Sequence, residues 1–419
     1  MDHGGRDRLR RRPRGGDGPP APRDEPPAVD VPTVVVSRKG AARARARHPW
    51  IFRSDLVEVP EGTPNGAIVR VADDRGRPLA RATWSERSQI SLRVVRWEDE
   101  EVDAGFWAAR LDAAIARRER AGMVGPARRL VFGEADEWPG LVVDQYGEHL
   151  SLQTLTPAAD RLAPEWTALL VERLSPRSIV ARNDLKVRAL EGLPQGIETW
   201  HGEPPEPFRI RMGDADFEVD LLQGQKTGAY LDQQENWRAA ARWAVGAGRA
   251  LDAFAGEGGF ALHLAPVARA VEAVEISEEA ARRGQANAET NGAGNVSWTV
   301  GNAFDRLHAA DAAGERFDAV VLDPPAFAKS RKSVPGALRG YKEINLRAIK
   351  ILAPGGTLIT CSCSYHLSRE RLAEVVADAA RDAGRTVELL EIRLQPPDHP
   401  VLVSVPETEY LKCLVLRAR

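Results

Sequence analysis

Cysteine is nearly missing from this 419-residue chain, which has three: Cys361, Cys363 and Cys413. So few, without metal-type spacing, exclude a disulfide framework and a cysteine-built metal site, and no metal is expected. Sparse thiols suit a reducing compartment, so the expected location is cytoplasmic. Long apolar runs are missing too. None approaches the roughly 18 residues of a spanning helix, so no membrane partner is expected. The N-terminus carries arginines but no apolar segment beside them, which speaks against a secretory signal. An excess of charge is also absent, the formal net charge being −2. That argues against a uniformly basic, histone-like protein and leaves a local patch as the means of holding nucleic acid. What remains is ordinary for a soluble globular protein, at a length that implies two or three domains.

Residues 1–30 are rich in Arg, Gly, Pro and Asp with almost no large apolar side chains. They cannot bury enough surface to offset ordering entropy, so a disordered tail is expected, with an RNA-touching arm as the other reading. Order is expected from Val31. Val34–Val36, Ala67–Val71, Leu79–Thr83 and Ile90–Val95 read as strands, with a turn at Asp74–Pro78, so a small β-rich domain is expected over 31–103. Inside it, Arg43, Arg45 and Arg47 run directly into His48-Pro49-Trp50-Ile51-Phe52. Cations neutralise phosphates and Trp50 could stack on a base, so these four are candidate RNA contacts. The competing reading is a solvated helix face followed by core aromatics.

A helix over 103–123, strands near Arg129, Gly140, Leu150, Ser178 and Phe208, and a helix at Pro164–Leu174 suggest an α+β unit over 104–215. Nothing there has catalytic spacing, and Asp136, Asp144 and Asp184 are read as turn residues. From 216 to 419 strands and helices alternate, with strands at Ala250, Ala270, Val296, Phe317 and Gly356 and helices at Ser277–Asn291 and Ser368–Ala383. Such alternation implies an α/β, doubly wound parallel sheet with its ligand beyond the C-terminal strand ends.

The first of these strands ends in Asp252-Ala-Phe-Ala-Gly256-Glu-Gly258-Gly259, a glycine turn that lets a ligand approach the backbone. Glu275 closes the second strand, where an acid can accept from both ribose hydroxyls. These features serve a dinucleotide and S-adenosylmethionine equally. The fourth strand ends in Asp323-Pro324-Pro325, a stiffened acid at the strand tip. A dehydrogenase has no special need for it, which favours the methyl donor.

With these elements the chain resembles class I S-adenosylmethionine-dependent methyltransferases. It is similar in particular to the bacterial 23S rRNA large-subunit methyltransferase I family, which makes 5-methylcytosine. The resemblance rests on Arg47-His-Pro-Trp-Ile-Phe52, Gly224-Gln-Lys-Thr-Gly-Ala-Tyr-Leu-Asp-Gln233, Arg339-Gly-Tyr-Lys-Glu-Ile-Asn345 and Ser362-Cys-Ser364, with Asp398-His-Pro400 and Tyr410-Leu-Lys412 near the end. It covers about 33–419. It implies a PUA-like RNA-binding domain, a middle α+β domain and a methyltransferase domain, an rRNA or large-subunit-precursor partner, and a homodimer. It also implies that Lys226, Thr227 and Tyr230 help close the cofactor pocket. Individual roles for Arg339, Tyr341, Lys342 and Asn345 do not follow from it. Asn302 stands where relatives often carry an Asp near the adenine; it can both donate and accept.

Cytosine C5 is a poor nucleophile, and a thiolate adding to C6 would activate it. Cys363, just past the fifth strand and spaced from Gly355-Gly356 as the family's nucleophile is, is the candidate. Cys361 is expected on the strand and Cys413 in the core. Asp323 would hold the extruded base by its polar edge. Two alternatives stay open: exocyclic N-methylation, which acid-Pro-Pro-aromatic motifs often serve, and an RNA-binding assembly factor with a vestigial methyltransferase fold.

Overall fold

The computed structural model describes residues 31–328 and 331–419, so the expected tail over 1–30 lies outside the described residues. The first sheet has six strands: β1 (Thr33–Val36), β2 (Trp50–Phe52), β3 (Leu56–Glu58), β4 (Ile68–Ala72), β5 (Pro78–Trp84) and β6 (Ile90–Arg96). Their order is β2-β6-β5-β4-β1-β3, and only β1 and β4 run parallel. Period-two alternation turns Val34, Val36, Val69, Val71, Ala80, Ala82, Leu92 and Val94 into one core. Helix α1 (Arg38–Arg45) starts on Ser37, whose hydroxyl accepts the Gly40 N–H at 3.3 Å. Ala41 and Ala44 face the core, leaving the arginines at the rim.

Helix α2 (Ala104–Arg120) leads into the second sheet, formed by β7 (Ala127–Phe132), β8 (Leu141–Tyr146), β9 (His149–Thr154), β10 (Ser178–Arg182) and β11 (Ile197–Gly202) in the order β11-β10-β9-β8-β7. Helix α3 (Pro157–Leu174) begins well before Pro164. Thr156 caps it through the Ala159 N–H at 3.2 Å, and Pro157 occupies the first turn, where an N–H has no helical partner to lose. Trp107, Trp138 and Trp166 meet at the centre of this domain with ring centroids 4.8 to 5.0 Å apart. A short α4 (Lys186–Leu190) precedes β11, a half-exposed strand without the alternation that would have revealed it.

Asp144 is not a turn residue, and Asp136, which closes the short 3-10 turn Gly133–Asp136, does more than turn the chain. Both are buried: Asp136 receives Arg118 at 2.6 and 2.7 Å, and Asp144, inside β8, receives Arg129 at 2.7 and 2.8 Å. Arg118 and Arg129 also reach Asp398, far down the chain, through its carbonyl at 2.7 Å and its carboxylate at 3.0 Å. These charges neutralise one another in a dry interior, where a lone charge would be expensive. Asp184 lies near Arg182, at 3.3 Å, closer to the surface.

The hairpin of β12 (Phe208–Met212) and β13 (Ala215–Val219) spans the expected boundary at 215. Its backbone N–H groups at Asp214, Asp216 and Glu218 donate to His263, Asn291 and Asn287 at 2.8 to 3.0 Å, so it packs on the last domain. There follow α5 (Gln234–Trp243), β14 (Ala247–Asp252), α6 (Gly259–Leu264), β15 (Ala268–Glu275), α7 (Glu278–Thr290), β16 (Val296–Val300), α8 (Ala303–Ala312), β17 (Phe317–Leu322), α9 (Val334–Ile351), β18 (Leu352–Ser362), α10 (Arg369–Asp382), β19 (Val387–Leu394) and β20 (Lys412–Ala418). The sheet order is β16-β15-β14-β17-β18-β20-β19. The strands from β14 to β18 are parallel, and β20 runs antiparallel to both neighbours. Helices cover both faces, which is why β17 reads as an almost unbroken apolar run. Successive strands go outward from β14 on one side, then resume with β17 on the other. That reversal opens a crevice above the C-terminal ends of β14 and β17.

Candidate active site

A cavity of about 570 Å³ fills this crevice. Its wall includes Lys226, Tyr230, Gly256, Glu275, Asn302, Asp323 and Cys363, which the sequence proposes for the site. Glu275, at the end of β15, accepts the Gly256 N–H on one oxygen at 2.9 Å and the Ser277 N–H on the other at 2.8 Å. The carboxylate is thereby fixed between the glycine turn and the start of α7, with further lone pairs available for a diol. Gly256 has φ +55°, and a Cβ there would meet nothing within 4 Å, so the open space beside it belongs to the cavity. Ile276, 70% exposed, adds an apolar surface next to Glu275. Asn302 caps α8 by accepting the Phe304 N–H at 2.8 Å, and Phe304 also lines the wall. An acid for a ribose, an amide and apolar surfaces for an adenine, and a bare glycine turn together fit S-adenosylmethionine.

Three proposed cofactor residues stand behind the wall rather than in it. Asp252 is buried under the glycine turn and accepts the Ala261 N–H at 3.0 Å. Burial and the nearby Asp323 push its carboxyl up to about 8. Gly258 caps α6 at φ +100°, where a Cβ would press on Leu262 and Trp298. Thr227 is 1% exposed and donates to Asp144 at 2.6 Å. It ties the Lys226–Tyr230 loop to the middle domain, helped by Tyr146, whose hydroxyl accepts the Ala229 N–H at 3.1 Å.

At the chemical end, Asp323 follows β17 and accepts from the Gln233 side-chain amide at 2.8 Å. Burial and the charge of Asp232 push its carboxyl up to about 7, so it exchanges a proton near neutrality. Asp232 itself is held well below the usual carboxylate range: burial opposes this, but Lys226 at 2.8 Å, His399 and the Tyr410 hydroxyl at 2.7 Å prevail. Lys226 also lies 4.4 Å above the Tyr230 ring.

Cys363 lies just past β18, half-buried. Burial and Asp323 push its thiol up to about 11. Cys361 and Cys413 are buried partners across β18 and β20 and line no part of the cavity. The turn holding Cys363 is anchored from α9. The buried Tyr341 hydroxyl meets the hydroxyls of Ser362 at 2.9 Å and Ser364 at 3.1 Å. Asn345 steadies Tyr341 by donating to its carbonyl at 2.8 Å, while Lys342 faces outward to Asp382 at 2.7 Å. Sequence reasoning quoted Asp232, Gln233 and Tyr410 within the resemblance but gave them no role, since their convergence on one crevice leaves no local pattern.

The basic segment sits apart from this crevice. Arg45 pairs with Asp73 at 2.6 Å, and Arg43 lies 3.7 Å from the buried Asp55 and 4.7 Å from the Phe52 ring centre. Arg47 sits over the Trp97 ring at 5.0 Å and has no carboxylate partner among the described residues. The Trp50 indole donates to Glu134 at 3.0 Å.

Comparison with known proteins agrees with this architecture. Residues 177–417 match the family model of an S-adenosylmethionine-dependent methyltransferase, and residues 34–97 match that of a PUA-like domain. A Streptococcus mutans structure described as a SAM-dependent methyltransferase superposes with a TM-score of 0.77 at 18% identity, over 92% of this chain and 99% of that one. A solved methyltransferase complexed with SAH gives 0.78 over the same shares. The chain is thus an S-adenosylmethionine-dependent methyltransferase with a PUA-like domain in front. More narrowly, it belongs to the ribosomal RNA large subunit methyltransferase I family. It is 41% identical to the member from Aeromonas salmonicida, over 89% of this chain and 96% of the relative, and 39% identical to that of Tolumonas auensis, over 92% and 99%. Among the described residues no group of acidic, His or Cys side chains could hold a metal, and no helix is long and apolar enough to cross a membrane.

Proposed function

We propose that this enzyme methylates C5 of a cytosine in the 23S rRNA of the large subunit, in the cytoplasm, through a covalent bond from Cys363 to C6. One observation carries the reading: Cys363 alone of the three cysteines lines the cavity that also holds Asp323 and Glu275. S-adenosylmethionine would supply an electrophilic methyl group, and Glu275, Gly256 and Asn302 would hold the rest of the donor. With its thiol midpoint near 11, Cys363 is neutral in the resting enzyme, so it ionises only as it attacks. Asp323, near 7, accepts the thiol proton and passes it to cytosine N3 as the Sγ–C6 bond forms. The displaced π electrons make C5 nucleophilic, and C5 takes the methyl group as its bond to the donor's sulfonium sulfur breaks, leaving a neutral thioether. Loss of the C5 proton to a base then restores the double bond and expels the thiolate, while N3 returns its proton to Asp323, which passes it back to the thiolate. Over the cycle one methyl group enters and one proton leaves.

The PUA-like domain, with Arg43, Arg45, Arg47 and Trp50, holds the RNA. Arg47 has no competing carboxylate among the described residues, and the others give up internal partners on binding. Nucleosides from rRNA of a deletion strain test the product: 5-methylcytosine should fall at one position and return with the wild-type chain. Loss of N4-methylcytosine instead would select exocyclic methylation. Cys363→Ala should abolish turnover while calorimetry still shows S-adenosylmethionine binding; retained turnover would refute the covalent route.

A further inference from the structure

Lys412 opens β20, opposite Ser362 of β18. It is 2% exposed, and its ammonium donates to the carbonyls of Ser364 at 2.9 Å and Tyr410 at 2.8 Å. No carboxylate lies within ion-pair distance among the described residues. The nearest acid influence is Glu409, which Arg369 engages at 3.1 Å. A buried ammonium held only by carbonyls is a poor way to stabilise a fold, because desolvation outweighs two neutral hydrogen bonds. Its place is notable: the carbonyl it grips belongs to the residue after Cys363.

We propose that Lys412 is a positioning residue for Cys363, fixing the Cys363–Ser364 turn through the Ser364 carbonyl and supplying the counter-charge when the thiol ionises. The proposal rests on the covalent reading above. The charges around the thiol leave this task open. Asp323 and Asp232 oppose the thiolate, Lys226 favours it but is committed to Asp232, and Tyr230, Tyr341 and Tyr365 contribute phenols that stay neutral at pH 7. Lys412 is a nearby cation that, among the described residues, has no carboxylate within ion-pair distance, with Glu409 acting on it only from further off. Burial pushes it down to about 8, so it is still mostly charged at neutrality and loses its charge in mild alkali.

That titration supplies a test that a purely structural lysine would fail. Alkylation of Cys363 by iodoacetamide, followed by peptide mass spectrometry, is measured at pH 7 and pH 10 in the full chain. Lys412→Gln keeps a donor for the carbonyls but removes the charge. Its alkylation at pH 7 should be about tenfold slower than wild type, and the two rates should converge at pH 10, where the wild-type ammonium is gone. Lys412→Arg should match wild type at pH 7 and exceed it at pH 10, which decides the matter if the Gln variant does not fold. Equal rates for wild type and either folded variant at both pH values would overturn the proposal. Alkylation reads the thiol without any methyl transfer. Should Cys363→Ala retain turnover, the covalent reading fails whatever Lys412 does.

Discussion

Asp323→Asn should make the protein more stable while making it inactive, and the gain should depend on pH. The carboxyl titrates near 7 in the folded chain against an ordinary value of 3.8. A raised carboxyl binds its proton more tightly folded than unfolded, so stability falls as pH rises between the two midpoints. The penalty is absent below pH ~4, grows from there to 7 and is level above. At ~1.4 kcal/mol per pH unit between the midpoints, its ceiling is ~4 kcal/mol. Asp323 keeps part of its surface in water, which screens the field, so about 2 kcal/mol is the expected size. Asparagine never ionises, and its carbonyl can still accept from Gln233. Part of the strain on Asp252 also comes from Asp323 and would ease in the same direction. Urea denaturation of wild type and variant at pH 4.5, 6 and 8 reads this effect together with the easing of Asp252, since titrating groups that Asp323 does not influence cancel in the difference. A variant advantage that rises toward pH 8 is expected. No advantage at pH 8, or one equal at all three values, would refute the argument.

Two glycines in one turn should fail in different ways. Gly256→Ala places a methyl group into the cavity from a φ of +55°, so S-adenosylmethionine affinity should drop roughly tenfold with a fold loss of only about 1 kcal/mol, read by calorimetry and thermal melting. Gly259→Ala drives a Cβ to 2.4 Å from the Trp237 ring, so melting temperature should fall before affinity does. Replacing Arg43, Arg45 and Arg47 together with Ala should weaken RNA binding across sequences and reduce the slope of log affinity against log salt by ~1 for each phosphate no longer neutralised. An unchanged slope would assign these side chains to their internal partners Asp55, Asp73 and Trp97.

The α/β alternation was legible because each element is covered on a known face. Ser277 and Ser368 cap α7 and α10 where the sequence places those helices. Strand β19 was not legible: it lies at a sheet edge, half-exposed, with Glu388 and Glu391 in no alternating register. In the cavity, Glu275, Asp323 and Cys363 could be anticipated because each lies at the end of a strand or just past it. Thr227 and Asp252 could be named but not placed, since a polar residue in a loop reads the same facing a ligand or a buried partner. Gln233, Asp232, Tyr341 and Lys412 lie in stretches that carry the family resemblance, but their roles stayed hidden for a different reason. Each acts on a residue 21 or more positions away, as Tyr341 does on Ser362, and a lone sequence carries no sign of such pairings.

The buried bonds from Thr227 to Asp144 and from Asp398 to Arg118 and Arg129 bear on how such a protein can change over evolutionary time. The loop that shapes the donor pocket is moored to a strand of the neighbouring domain, and a segment near the C-terminus is clamped to two arginines there. Excising the last domain would leave the Arg118–Asp136 and Arg129–Asp144 pairs together but cut their bonds to Asp398 and Thr227. This catalytic module is therefore a poor candidate for shuffling onto a different companion: it travels with its middle domain.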